Sequence, residues 1–291
     1  MRGLVIAGLF VVLVTGCGAS EDPPPVGQAP PPAPAPPAEP SEYEATATVL
    51  EAPGSGPMLC LGPMRLPLPP QCGDVPVVGW SWKAVEGEES AAGVTWATFH
   101  VVGTYDGETF TLVEAGPPRP QKEPDADLFE PPCPEPDGGW VVPDPGASTQ
   151  DDVGPAQEYA TRQPDYVASW VHHVGRPTEG TYEESRPVVF VVIFTGDAAR
   201  HEAELRTRWT GPLCVVEHDV PSAREARRIR AEAEASLDGL GLRMLSSWEG
   251  RPGTAAEIQV VADPGGEGQA ALDARFGPGL VRLVPALRPV G

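Results

Sequence analysis

Positive charge is scarce in this chain, with 20 Lys+Arg against 41 Asp+Glu and a formal net charge of −21 over 291 residues. Such a balance opposes phosphate backbones and excludes nucleic acid as a partner. Lysine is nearly missing, with only Lys83 and Lys122 beside 18 arginines, and no chemistry follows from that. Catalytic signatures are missing too. There is no G-x-S-x-G, no S-x-x-K, and His201-Glu202 has no second histidine four residues after the first, which removes the usual serine-hydrolase, β-lactamase-type and zincin readings. The cysteines lack the closely spaced pairs of a structural zinc site. The one long apolar run, residues 3–14, is too short to span a bilayer.

What the N-terminus does have is an order. Met1-Arg2 leads into that apolar run, which closes on Val14-Thr15-Gly16-Cys17, a small residue standing before the cysteine where a signal peptide is cut. This resembles the lipobox of bacterial lipoproteins. The resemblance implies a signal peptide over residues 1–16, a diacylglyceryl group on Cys17, and acylation, typically with palmitate, of the new N-terminus. Two or three acyl chains give stable anchoring, since each buried CH₂ contributes about 0.8 kcal/mol. It further implies a protein on the extracytoplasmic side of the cell membrane or outer membrane. Gly18 stands where aspartate would mark inner-membrane retention, which favours the outer membrane where the host has one.

Residues 17–41 then hold the lipidated cysteine and a tether rich in Pro and Ala, with little apolar surface to bury and a preference for extended polyproline II. Once Cys17 is set aside, Cys60, Cys72, Cys133 and Cys214 remain, an even number suited to an oxidising space. The favoured pairing is Cys60 with Cys72 and Cys133 with Cys214, because the first two lie close together in one β-rich segment. Chain entropy gives roughly 3 kcal/mol for the short loop and somewhat over 4 for the long one.

Residues 42–115 carry β patterning. Strands are expected at 43–50, 58–61, 75–82, 95–104 and 109–114, the last two joined by Asp106-Gly107, a strong hairpin signal. Five short strands predict a small β-barrel of the OB kind, with a sandwich as the alternative. Residues 116–155 read as a Pro/Gly-rich linker stapled by Cys133.

Residues 156–291 predict an α/β domain. Tyr159, Tyr166, Val167, Trp170, Val171 and Val174 recur at three and four, so residues 155–174 read as helical, restarting at Pro164. An apolar strand at 188–194, a helix through Trp209 and a strand at 213–216 form one unit. Sixty-seven residues on, Leu272, Arg275, Phe276 and Leu280 match Leu205, Arg208, Trp209 and Leu213. Two such βαβ units in series predict a ferredoxin-like sandwich with one shared sheet. Between them Ser222-Ala223-Arg224-Glu225 opens an amphipathic helix with Ala226, Ile229, Ala233 and Leu237 on one face, and residues 242–248 alternate as a further strand. The fold class is therefore α+β in two domains.

Candidate chemistry is thin. Gly266-x-Gly268-x-x-Ala271 matches a dinucleotide fingerprint in outline, but Asp263 and Glu267 beside it would repel a pyrophosphate. His172 and His173 would point about 100° apart on a helix and cannot share a metal. Asp125, Asp127 and Glu130 lack the glycine and register of a calcium loop. No cofactor or metal is expected. Trp80 and Trp82, two apart on an expected strand, would leave one face and could stack on a glycan or an envelope protein. The expected role is a membrane-anchored binding or scaffolding module of the cell envelope, with an envelope hydrolase as the alternative.

Overall fold

Alternation of apolar with polar residues along residues 42–51 decides how the first part of the chain folds. A computed structural model describes residues 41–64, 67–120, 129–175 and 186–290, so the signal segment, Cys17 and the tether up to residue 40 lie outside the described residues, as do Asp125 and Asp127. The fold is mixed α+β, dominated by sheet, with four helices among the described residues. None of those helices is long and apolar enough to cross a membrane.

Strands β1 (Glu42–Glu51), β2 (Met58–Cys60), β3 (Val75–Val78), β4 (Glu89–Ala91), β5 (Val94–Tyr105), β6 (Phe110–Gly116) and the late β13 (Arg288–Pro289) form a seven-stranded sheet in the order β13-β1-β2-β3-β6-β5-β4. β1 pairs also with β5 along its whole length, from Glu42 opposite Thr104 to Glu51 opposite Thr95. Tyr43, Ala45, Ala47 and Val49 turn to one side and meet Leu59, Val75, Val77, Phe99, Val101 and Phe110. Period-two burial of this kind fixes register, because a one-residue slip would send the whole set to the other face. At the 106–107 hairpin Asp106 Oδ1 accepts the N–H groups of Glu108 and Thr109 at 2.9 and 2.7 Å, and these donors hold its carboxyl below the usual range. Gly103 sits at a bulge where a Cβ would come within 2.2 Å of the Thr111 carbonyl and 2.8 Å of the Phe110 ring, so no larger residue fits.

Two departures from expectation occur here. The third strand stops at Val78 instead of running to 82, because Gly79 takes a left-handed φ of 85° and turns the chain. The short β4 and β13 carry too few residues for their pattern to stand out.

The rest of the described chain contains one motif twice. α1 (Gly154–Arg162), β7 (Tyr166–His173), β8 (Val188–Phe194), α2 (Ala198–Arg206) and β9 (Leu213–Glu217) are followed by α3 (Ala223–Ser236), β10 (Met244–Trp248), β11 (Ala256–Val260), α4 (Glu267–Phe276) and β12 (Val281–Pro285). In both copies the middle strand pairs antiparallel with the strand before it and parallel with the strand after the helix. The repeat is thus helix-strand-strand-helix-strand, longer than the βαβ unit expected.

Two corrections follow. The copies do not share one ferredoxin-like sheet; they form separate three-stranded sheets, β7-β8-β9 and β10-β11-β12. The reason is local: a shared sheet would place β8 and β11 side by side, and the edge each would offer is already filled by β7 or β10. Residues 166–173 are also a strand and not a helix. A register shift between Tyr166 and Ala168 breaks strict alternation, and the aromatic and β-branched residues then fall at helix-like spacing.

Each copy buries its own core. Phe190, Val192, Phe194, Leu205 and Trp209 lie in the first, and Ile229, Ala233, Ile258, Val260 and Leu272 in the second. The second is also joined to the seven-stranded sheet, since Val261, Ala262 and Leu287 enter the sheet's core. Gln259 Nε2 donates to the Leu61 carbonyl at 2.9 Å, and Arg243 donates to the Asp74 carbonyl. Cys60 and Cys72 form one disulfide, with Cα atoms 5.5 Å apart, and Cys133 and Cys214 form another at 5.8 Å, the pairing expected from the sequence.

Candidate functional site

The equivalent edge strands of the two repeats bring two tryptophans into one groove. Trp170 on β7 stands opposite Val191 of β8, and Trp248 on β10 stands opposite Glu257 of β11. Val191 and Glu257 are themselves equivalent, since Phe190 and Ala256 open the parallel ladders of their copies at Leu213 and Val281. Both edge strands carry a register shift near their start, between Tyr166 and Ala168 and between Met244 and Ser246. Ser169-Trp170 and Ser247-Trp248 are thus the same dipeptide at the same place of the repeat.

A groove of about 590 Å³ is lined by these two indoles, Phe129, Ser169, Glu249, Arg251 and neighbouring backbone. That volume falls within the range of small-ligand sites. Phe129 is 66 % exposed and Trp248 40 % exposed, an unusual amount of aromatic surface in water. The Trp170 indole N–H donates to the Phe129 carbonyl at 2.9 Å and so fixes the ring, which also packs on Val189, Val191 and Cys214. Ser169 Oγ lies 2.9 Å from the Tyr166 hydroxyl, whose ionisation is pushed up by burial. Gly250 makes the turn after β10, where a Cβ would fall 2.4 Å from the Thr254 carbonyl. Rigid aromatic faces beside a hydroxyl, a carboxylate and a guanidinium can stack on a ring's C–H face and hydrogen-bond its hydroxyls.

The sequence-predicted tryptophans lie elsewhere. Trp80 falls in the turn after β3, and Trp82 opens a 3₁₀ turn, so they do not share a strand. They still meet, edge to face at 5.3 Å, and both pack on Phe99 at 5.1 and 6.3 Å as part of the seven-stranded sheet's core. Trp82 Nε1 donates to Glu51 Oε2 at 2.6 Å. The Ser-Trp dipeptide repeated at 169–170 and 247–248 is the signal that sequence reasoning passed over.

Other candidates resolve as follows. The Asp263 carboxylate accepts the N–H groups of Gly268 and Gln269 at 2.9 and 3.0 Å, occupying the start of α4 where a phosphate of a dinucleotide would lie. His172 and His173 sit on a strand, on opposite faces, and His172 Nδ1 lies 3.8 Å from Glu130. Among the described residues no group of three or more His, Cys, Asp or Glu side chains is placed to hold a metal.

One buried chain was not foreseen. His201, fully buried, has Nε2 at 2.8 Å from Asp165 and Nδ1 at 3.0 Å from the Tyr159 hydroxyl, while the Phe194 ring stacks on it at 3.7 Å. Arg200 Nη2 also lies 2.9 Å from Nε2, so a carboxylate and a guanidinium meet on one ring nitrogen and a phenol on the other. The chain ends on a phenol whose ionisation burial pushes up, and its three members tie α1, the turn before β7 and α2 together. Its place is the core of the first repeat. Comparison of the chain with protein-family models, curated proteins and solved structures gives no match.

Proposed function

We propose that this protein is a lipid-anchored binding module of the cell envelope, held to the membrane through Cys17 and taking a glycan in the groove between Trp170 and Trp248. The observation that carries the reading is the recurrence of one tryptophan at the same place of each repeat, Trp248 exposed and Trp170 partly buried, both lining the same groove. Two indoles brought to one groove, one anchored on the core of its repeat and one in water, make a stacking platform. The anchor and the extracytoplasmic address rest on the lipobox resemblance, and the two disulfides suit that compartment. The ladder that runs β1-β2-β3-β6-β5 and returns to β1 supports an OB-like barrel in residues 42–115, joined by an α/β region over 156–291.

Titration with a muramyl disaccharide-peptide and with chitotetraose, followed by tryptophan fluorescence and calorimetry, tests the ligand. Saturable binding, weakened at least tenfold in Trp170→Ala and in Trp248→Ala, is the expected result; no saturable response to either sugar would overturn the glycan reading. Cys17→Ala should abolish labelling by a palmitate analogue, and unchanged labelling would remove the anchor.

Hydrolysis of envelope glycans is a second reading with one observation behind it. Glu249 and Glu257 both line the groove, and glycoside hydrolysis uses two carboxylates. Release of reducing ends, lost in Glu249→Gln, would establish it.

A further inference from the structure

A second cleft, of about 620 Å³, opens where β1 and β5 of the seven-stranded sheet face β12 and the chain leading to β13. Glu44, His100, Arg119, Gln259, Arg282 and Arg288 are among the residues that line it. In a protein of net charge −21, three of 18 arginines gather here around a single lining carboxylate. Arg119 Nη1 donates to Glu44 Oε2 at 2.9 Å, and Arg282 Nη2 donates to Glu257 Oε2 at 2.8 Å. Arg288, opposite Glu44 in the β1–β13 ladder, makes no ion pair among the described residues, so the described lining carries three guanidiniums against one carboxylate. Each guanidinium carries five N–H groups, and a single carboxylate oxygen leaves most of them unused.

His100 supplies the independent observation. Its side chain is 11 % exposed, yet neither ring nitrogen has a hydrogen-bond partner. Glu44 Oε2 lies 3.4 Å from Nε2, close enough for charge attraction, but that oxygen already accepts from Arg119 and the geometry is not that of a hydrogen bond. Buried polar atoms are ordinarily paired, and an imidazole left unpaired on the wall of a cleft calls for a partner from outside. It sits on the outer face of the sheet opposite Thr46, away from the sheet's own apolar core, so packing does not account for it.

We infer that this cleft is an anion site, and that the group it takes is a phosphate-type oxyanion held by the forks of Arg119, Arg282 and Arg288 with the imidazole of His100 as a further donor. Guanidinium forks match planar and tetrahedral oxyanions through paired N–H donors, and low-dielectric walls focus the field of the three guanidiniums into the cleft. The volume exceeds that of a bare phosphate, which leaves room for the alcohol of a phosphate ester. The anion is therefore either free phosphate or the phosphorylated end of a larger envelope molecule, and the same contacts serve both.

The test uses the purified full-length protein in detergent, with its disulfides intact, at constant 150 mM salt. Inorganic phosphate and glycerol 3-phosphate are titrated separately, with chloride as control, while His100 ring signals are followed by NMR and heats by calorimetry. Saturable binding with movement of the His100 signals is expected, weakened at least tenfold in Arg288→Ala and at least fivefold in His100→Gln. Tighter binding of the ester than of phosphate assigns an esterified ligand; equal binding assigns the free anion. Absence of saturable phosphate binding overturns the site. So does unchanged affinity in Arg288→Ala, whose exposed side chain can be removed without disturbing a core and thus keeps the test decisive if His100→Gln fails to fold.

Discussion

The two repeats share one topology and are secured in different ways. The first is held from within: Trp209 is 1 % exposed and donates its indole N–H to the Pro212 carbonyl, His201 links two helices, and Cys214 on β9 is bonded to Cys133. The second has no cysteine and no buried histidine, and its matching aromatic, Phe276, is only half-buried under the Arg275 guanidinium at 4.9 Å. It is held from outside, by Val261, Ala262 and Leu287 packing into the seven-stranded sheet and by β13 pairing with β1. A duplicated unit needs only its central strand, Leu205 or Leu272, and the strand-helix-strand connection; the rest of its stability can come from a staple or from a neighbour.

The sharpest way to break that comparison is at the matched aromatics. Trp209→Ala should cost about 3–5 kcal/mol, the range for a large buried aromatic, whereas Phe276→Ala should cost less than about 2 kcal/mol because part of the ring stays in water. Urea unfolding of both variants checks the ordering, and equal losses would mean that the second copy depends on its own core as heavily as the first. Next comes the staple. Replacing both Cys133 and Cys214 by serine removes a cross-link spanning 81 residues, for which chain entropy gives about 4 kcal/mol before native-state effects. Amide exchange should then rise in β8 and β9 with β11 and β12 unaffected; uniform acceleration would show that the copies unfold as one.

The smallest contrast lies at the helix starts. Asp152 accepts from the Thr149 hydroxyl and N–H at 2.7 and 2.9 Å just before α1, and the hydroxyl first, then the N–H, holds its carboxyl below the usual 3.8. A lowered folded value means that this contribution is present above about pH 4 and is lost as pH falls through the depressed value. α3 starts instead on the Ser222 hydroxyl, which accepts from the Glu225 N–H and does not titrate. Acid titration followed by NMR should therefore shift the Thr149 amide, and Asp152→Asn should flatten that response.

How legible all this was in the sequence depended on length and phase. The strands of residues 42–51 and 94–105 show their alternation over many residues, and the cysteine pairs lie where spacing put them. Residues 166–173 misled because one bulge moves Tyr166 out of step with Trp170, converting a two-residue period into something near helical. The twin tryptophans stayed hidden for a related reason. Their partner strands are offset by 66 residues, from Val191 to Glu257, while the tryptophans themselves are offset by 78, from Trp170 to Trp248, so no single shift aligns both. The arginine cleft had no sequence signal at all: His100, Arg119 and Arg288 converge only once β13 lies against β1.

That last pairing has a kinetic meaning. Tyr43 opposes Pro289 across the β1–β13 ladder, so forming it closes a loop over nearly the whole described chain. Loop-closure entropy grows with the logarithm of such a span, and contacts this remote in sequence slow a fold in proportion to how many there are. Until residues 287–289 arrive, the Tyr43–Glu44 end of β1 stands open on one edge and the place of Leu287 in the sheet's core is empty, a template for misplaced strands. The first sheet to leave the ribosome is thus the last to be finished.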